Sequence, residues 1–550
     1  MKLILLVSLI LLFSGSPFAS TTSTTSTTWT TWPSSIGRAA QTQQPLAVGS
    51  VAGRRQVAIR ASELSSSDPM PFPQQQPTPS ASGQRAQAYA KLLEGQRQLS
   101  QSRGRANEVI GPAREAFQEA AKLDPTLAEA HTALAEIAFY YAPQDFDAAT
   151  VEGANATKLD PDNFGAHQIL SRLYTIKSGL HEGTLDKTFV DLAIKELKEV
   201  ARLDKNNAES WAFLGEFYQG TVRTEAALDA WAHWAAAPPP TDTRFFQYIT
   251  SRELSPDAAN ARLSEGLLKA GRPTEALAAI RRAIALNPGN RDYLLLLYEA
   301  FEAGGSKDSA AIADLQRAVA AEPTDMTALR LLARAETRAG RVDEAVALLR
   351  ARLKGSLVDF NLHLMISYLY AQAGRGREAV EAARKALELA PPDRPEMTTP
   401  ALLVLSSAQE GAGDIEGAEE SLRRILAKEP ENATALNNLG YFLTQRKERL
   451  AEALEMIQRA VKAEPDNASF LDSLGWVYFK LGQLKEAEMN LGEAARRDTT
   501  SATIQEHLGE LYQARSEPTK ARAAWEKALT LSIEPSQTAR LRAKLKSKAN

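Results

Sequence analysis

An all-α fold, a right-handed superhelix (solenoid) of roughly 12 stacked helix-turn-helix repeats, is what this sequence predicts. Three observations carry that reading. Between Asn432 and Leu531 the chain repeats itself at about 34 residues with the same residue types in the same slots. One copy holds Leu474, Gly475, Tyr478, Gly482, Ala487 and Ala494, and the next holds Leu508, Gly509, Tyr512, Ala521, Trp525 and Ala528. Pro125, Pro161, Pro288, Pro323, Pro391, Pro430 and Pro465 each follow an Ala-rich stretch, where a residue without an N–H ends a helix. Finally, the 550 residues exceed the roughly 250 to 300 that one core serves, whereas stacked repeats bury surface only against their neighbours.

Taken in order, residues 1–19 read as an export signal: Lys2, an apolar run from Leu3 to Phe13 broken only by Ser8, then small residues to Ala19. The run is too short to span a bilayer, which needs about 20 residues, so no transmembrane segment is expected after cleavage. Residues 20–84 are rich in Ser, Thr, Pro and Gln and read as a disordered tether. A first block of repeats is expected over 85–240, its best copy carrying Trp211, Leu214, Gly215, Tyr218, Ala227 and Trp231. Trp211 is read there as a ring packed between helices, and Trp211→Ala as a loss of about 3 to 5 kcal/mol. An enlarged loop is expected within 175–187, pointing outward as a candidate contact. Pro238, Pro239 and Pro240, followed by Arg244, Phe245, Phe246 and Tyr248, mark a junction that occupies 241–254 behind the prolines. A second block follows over 255–532, and 533–550 holds a basic capping helix with Arg540, Arg542, Lys544, Lys546 and Lys548.

Composition narrows the function. A net charge of −3 with 24% charged residues gives no basic bias toward nucleic acid. The absence of cysteine excludes disulfides, thiolate metal sites and a lipid-anchoring cysteine. His131, His167 and His363 stand in the slot of Trp211 at spacings that match no zinc motif, so they read as packing residues. No phosphate loop, nucleophile elbow or metalloprotease motif occurs, and no catalysis, metal or cofactor is expected. Asn155, Asn432 and Asn467 begin glycosylation-type triplets of the kind that arise by chance.

The slots above resemble the tetratricopeptide repeat. That resemblance covers about residues 85–532 and implies a binding scaffold whose first helices line a concave groove. Its inner positions would be Arg330, Arg334 and Arg338, a row at i, i+4 and i+8 suited to carboxylates, with Tyr368 and Gln372 beside it. Further along they would be Asn437, Tyr441, Thr444 and Gln445, then Asp472, Trp476, Phe479 and Lys480. Tyr441 and Trp476 allow two readings, solvent-facing anchors or packing between neighbouring helices. The Lys/Asn clamp that some such domains use for a terminal carboxylate is not matched, because Tyr441, Trp476 and Glu510 stand where its asparagines would be. The stretches Leu436–Tyr441, Leu450–Ala453 and Leu471–Tyr478 resemble, more narrowly, a tandem of bacterial envelope proteins, some of them lipoprotein adaptors of periplasmic proteases. The implied function is an exported, periplasmic or secreted, non-enzymatic scaffold that binds protein or peptide partners in its groove. The alternative is a regulatory subunit of an envelope synthase or export machine, acting through its outer face.

Overall fold

The computed structural model describes residues 81–100, 106–141, 143–532 and 535–547, and the regular elements among them are all helical. The expected signal segment and the tether up to residue 80 lie outside the described residues. By mutual contact the chain divides into two compact units between Gly305 and Ser306.

The amino-terminal unit pairs α1 (Ala81–Ser100) with α2 (Ala106–Leu123), α3 (Ala128–Tyr140) with α4 (Phe146–Leu159), α5 (Phe164–Lys177) with α6 (Lys187–Leu203), and α7 (Ala208–Gly220) with α8 (Thr224–Ala236). A lone short helix α9 (Arg244–Thr250) follows, then the pair α10 (Pro256–Lys269) and α11 (Pro273–Leu286), then α12 (Asp292–Ala303). The predicted junction therefore lies inside this unit, as a folded insertion built around α9.

The carboxyl-terminal unit opens on α13 (Ser309–Ala321) and pairs α14 (Met326–Arg338) with α15 (Val342–Arg350), α16 (Phe360–Gln372) with α17 (Gly376–Leu389), and α18 (Pro395–Gly411) with α19 (Ile415–Lys428). It continues with α20 (Ala433–Arg446) and α21 (Leu450–Ala463), α22 (Ala468–Lys480) and α23 (Leu484–Arg497), α24 (Ala502–Ala514) and α25 (Pro518–Leu531), and ends on α26 (Pro535–Ser547). Among the described residues five pairs thus lie in the amino-terminal unit, four of them before α9, and six in the carboxyl-terminal unit, close to the roughly 12 repeats that the sequence predicts, with α12 and α13 on either side of the division.

The repeat slots act as the sequence implies. A Cβ on Gly215 would lie 2.1 Å from the Trp231 indole nitrogen, and one on Gly509 would lie 2.2 Å from that of Trp525. Gly440 and Gly475 stand in the same relation to Ile457 and Leu491, at 2.6 and 2.7 Å. In each case the bare backbone of the first helix is the seat for a large side chain of the second. Repeats without glycine use another small residue there, and Ser264 and Ser367 also donate a hydroxyl hydrogen bond to the facing helix, to the carbonyls of Ala276 and Ala379. The prolines sit in the turns after second helices, and Asn163, Asn207, Asn432 and Asn467 cap the next first helix by accepting a backbone N–H. Asn432 and Asn467 thus have structural work independent of any glycan.

Candidate partner-binding surface

Successive first helices approach one another closely, α3 to α5, α10 to α12, α16 to α18 and α20 to α22 among them, more than successive second helices do. Within each unit the first helices therefore form the inner, concave face of the stack. The residue that follows the small slot is the centre of that face. It is Glu136, Arg172, Glu216 and Glu265 in the amino-terminal unit, and Arg334, Tyr368, Tyr441, Trp476 and Glu510 in the carboxyl-terminal unit.

In the carboxyl-terminal unit, Arg330, Arg334 and Arg338 all lie half-buried on one face of α14. Burial and the neighbouring Arg334 both push the Arg330 guanidinium below its ordinary pKa, with Asp325 opposing them. On α16 the Gln372 amide donates to the Tyr368 hydroxyl at 2.5 Å, so these two also share a face.

Further along, the structure resolves the two readings of the aromatic positions in favour of packing. Tyr441 is 4% exposed, Trp476 6%, Asn437 1% and Asp472 0%. Trp476 stacks on His507 at 3.9 Å and on Phe479 at 5.0 Å, and Lys480 lies 4.1 Å above its ring. His507 Nδ1 lies 2.9 Å from Asp472 Oδ1, and the Tyr441 ring is 6.4 Å from the imidazole. These are internal links among α20, α22 and α24. Half-buried Phe479 and Lys480, with exposed Gln445, are what that row offers to solvent. His507 was not singled out by the sequence; a histidine beside Leu508-Gly509 carries no signal until its partners 35 residues away are known.

The Trp211 expectation is corrected. Its ring is only half-buried: it stacks on His233 at 4.3 Å and donates its indole N–H to the Lys205 carbonyl at 2.9 Å. His167 does the same in its repeat, its Nε2 lying 3.0 Å from the Pro161 carbonyl while Nδ1 meets Glu196 at 2.6 Å. This slot locks the inter-repeat turn to the second helix. The fully buried indole is Trp231. Beside Trp211, a hollow of about 640 Å³ opens among α6, α7 and α8, lined by Lys198, Arg202, Lys205, Trp211, Tyr218 and His233.

The acidic inner face of the amino-terminal unit is threaded by arginines. Arg172 makes a paired hydrogen bond to Glu209, 2.7 and 2.6 Å, and a third to the Tyr140 hydroxyl at 2.7 Å. Arg262 forks onto Glu216 at 2.8 and 2.9 Å, also meets Glu265, and covers the Trp231 ring at 4.6 Å. Glu136 is pushed up to about 7 by burial. Among the described residues no helix is long and apolar enough to cross a membrane, and no group of three His, Asp or Glu is placed to hold a metal ion.

Comparison with known proteins agrees with the geometry. Tetratricopeptide-repeat family models match residues 262–325, 309–356, 403–468 and 445–503, and a second model of that repeat matches 360–393. The matched segments are tetratricopeptide repeats, and the helix pairs outside them share the architecture, so this is a tetratricopeptide-repeat protein. It is 35% identical over 174 residues to a TPR repeat-containing protein of Pseudomonas aeruginosa, an alignment covering 32% of this chain and 28% of that one. Among solved structures, yeast Tom70 aligns with a TM-score of 0.40 at 17% identity, covering 84% of this chain and 95% of Tom70. A thermophilic TPR protein of Thermus thermophilus aligns with a TM-score of 0.30 at 25% identity, covering 34% and 97%. Repeats of this class mediate protein–protein interaction.

Proposed function

We propose that this protein is an exported, non-enzymatic scaffold of the bacterial envelope that holds an acidic segment of a partner protein on the inner face of its carboxyl-terminal unit. The observation that carries this reading is the row Arg330, Arg334 and Arg338, half-buried on one face of α14. Three guanidinium groups along one helix face offer a ligand bearing carboxylates a row of forked hydrogen bonds. Adaptor service to a periplasmic protease or an assembly complex is the form of this function that the Leu436–Tyr478 resemblance supports.

A second reading has one observation in its favour. The hollow around Trp211, Tyr218 and His233 lies between the second helices α6 and α8, on the outer side of the stack, and combines aromatic surface with Lys198 and Lys205. A regulatory contact with an envelope synthase or export machine would use such a face.

The test is titration of a fluorescent Asp/Glu-rich decapeptide with the full chain and with the Arg330→Ala/Arg334→Ala/Arg338→Ala variant. The groove reading expects saturable, salt-sensitive binding that weakens by about tenfold or more in the variant, equal to roughly 1.4 kcal/mol. Equal binding by both proteins removes the arginine row from the function. Fractionation of the native cell, with the protein recovered outside the cytoplasm, tests the localisation.

A further inference from the structure

The insertion that follows the three prolines does not leave the repeat stack; it folds onto the inner face of the amino-terminal unit. Phe245 of α9 sits with its ring 6.5 Å from Phe139 of α3 and 5.6 Å from Phe213 of α7, both edge-on, and Arg172 of α5 lies 4.9 Å above it. One side chain thereby touches three successive first helices. Asp242 lies three residues earlier. Burial alone would raise its pKa, but Arg244 and Arg172 hold the carboxyl below its ordinary value. The α5–α6 loop, with its short 3-10 turn Leu180–Glu182, reaches α9 as well, so both insertions of this unit meet at one place.

The two sides of α9 differ. Phe246 and Ile249 are buried, and Phe246 is wedged edge-on between Phe213 and Trp234 at 5.0 and 5.5 Å. These residues anchor the helix to α7 and α8. Asp242 and Phe245 on the other side are only half-buried. The segment is bounded by Pro238–Pro240 before it and by Ser251 in the left-handed region, φ 56°, after it. A two-turn helix is too short to hold itself together in water, so it persists by what it touches.

We infer that the Phe139–Arg172–Phe213 face is a recognition site for a protein segment carrying an acidic residue three positions before an aromatic one, and that Asp242 and Phe245 occupy it in cis as an internal stand-in. The chemistry matches in both parts. Arg172 is locked to Glu209 and Tyr140 yet still presents its planar face to an aromatic ring, and Asp242, which accepts from the Arg244 backbone N–H at 3.2 Å and from its Nε at 3.0 Å, fixes the turn that delivers Phe245 to that face. A partner segment of this kind must displace Asp242 and Phe245, so the unit binds it weakly until the stand-in moves. This goes beyond the function proposed above, since it concerns the other unit, and loss of acidic-peptide binding in the triple-arginine variant leaves it untouched.

The experiment uses the full chain and a fluorescein-labelled peptide of residues 240–250, Pro-Thr-Asp-Thr-Arg-Phe-Phe-Gln-Tyr-Ile-Thr. Asp242→Ala/Phe245→Ala is expected to bind this peptide about tenfold or more tightly than the wild type, and not to bind the same peptide carrying those two alanines. Equal binding by wild type and variant overturns the proposal, as does equal binding of the two peptides by the variant. Should the double alanine variant lose its native circular dichroism, Phe245→Ala alone, which empties the ring's place and keeps Asp242 with Arg244, is held to the same two outcomes.

Discussion

The two units are built from one repeat and present two different inner faces. In the amino-terminal unit the residue after the small slot is acidic in three of the four repeats compared; Arg262 pairs with Glu216 and Glu265, and Arg172, the fourth member of the row, pairs with Glu209. In the carboxyl-terminal unit the same slot runs through Arg334, Tyr368, Tyr441, Trp476 and Glu510, and the chemistry passes from a cationic helix face to a stacked aromatic layer before it reaches an acid. The small slot, the second-helix ring and the capped turn are shared. Fold and face are thus written at different positions, and the face can change without disturbing the fold.

The sharpest way to break this comparison is to strike a position that both units share. Trp231→Ala is expected to cost about 3 to 5 kcal/mol, because the ring is fully buried against Gly215 and Gly266. Gly215→Ala and Gly509→Ala are expected to act in the same direction, since each new Cβ would overlap an indole. Trp211→Ala should cost about 1 kcal/mol, as it removes one half-exposed ring and one hydrogen bond. Urea unfolding of the four variants gives the ranking, and an equal loss for Trp211→Ala and Trp231→Ala would falsify the assignment of the core ring.

These same residues show what the sequence revealed and what it hid. Repeat number, turn prolines and the packing glycines were legible because a fixed period places them, and steric closeness leaves few residue types able to serve. The choice between Trp211 and Trp231 as core ring was not legible, since both are tryptophans within one repeat and only the crossing of α7 and α8 decides which faces inward. The burial of Tyr441 and Trp476 depended on His507 and Asp472 across helix boundaries, and α9 looked like a linker because its partners are dispersed over α3, α5 and α7. Pair identities at long separation have no local signature.

Acid and base should separate the units next. Burial raises the Glu506 carboxyl, but Lys544, Arg540 and Gln537 of α26 outweigh it and hold the group at about 2. A carboxyl held below its unfolded value stabilises the fold fully above pH 4.5, and that stabilisation is lost as pH falls through about 2. Discounted for solvent screening, the shift corresponds to about 2 to 3 kcal/mol. Protection of the α26 amides, taken relative to their intrinsic exchange rate, should therefore fall as pH drops between those values, and Glu506→Gln should remove that part of the fall.

Glu136 in the amino-terminal unit works in the opposite sense. Its pKa is raised from the ordinary 4.5 to about 7 by burial, so the folded unit binds an extra proton between those values and loses stability as pH rises through them. Allowing for partial exposure, the loss is about 1 to 2 kcal/mol. Glu136→Gln should stabilise the protein at pH 8 and leave it unchanged near pH 4; equal melting shifts at both pH values would sink the assignment.

The smallest effect concerns the turn between the helices of a pair. Gly271, Gly340, Gly374, Gly413 and Gly482 take this position with φ from 72° to 85°, a region that costs glycine nothing. Val222 takes the same place in its repeat at φ 59°, although a β-branched side chain is ill suited to it, and the residue is 85% exposed, so packing offers no compensation. Relief of that strain favours Val222→Gly in the folded state, while the greater freedom of glycine in the unfolded chain opposes it. For an exposed β-branched residue the strain outweighs that freedom, and a net gain of about 1 kcal/mol is expected in urea unfolding. The reverse change, Gly482→Val, should cost at least as much, because it imposes the strain and leaves no tertiary contact to repay it. A gain in neither direction would show that this turn tolerates valine without strain and that the difference between the repeats at this position is neutral.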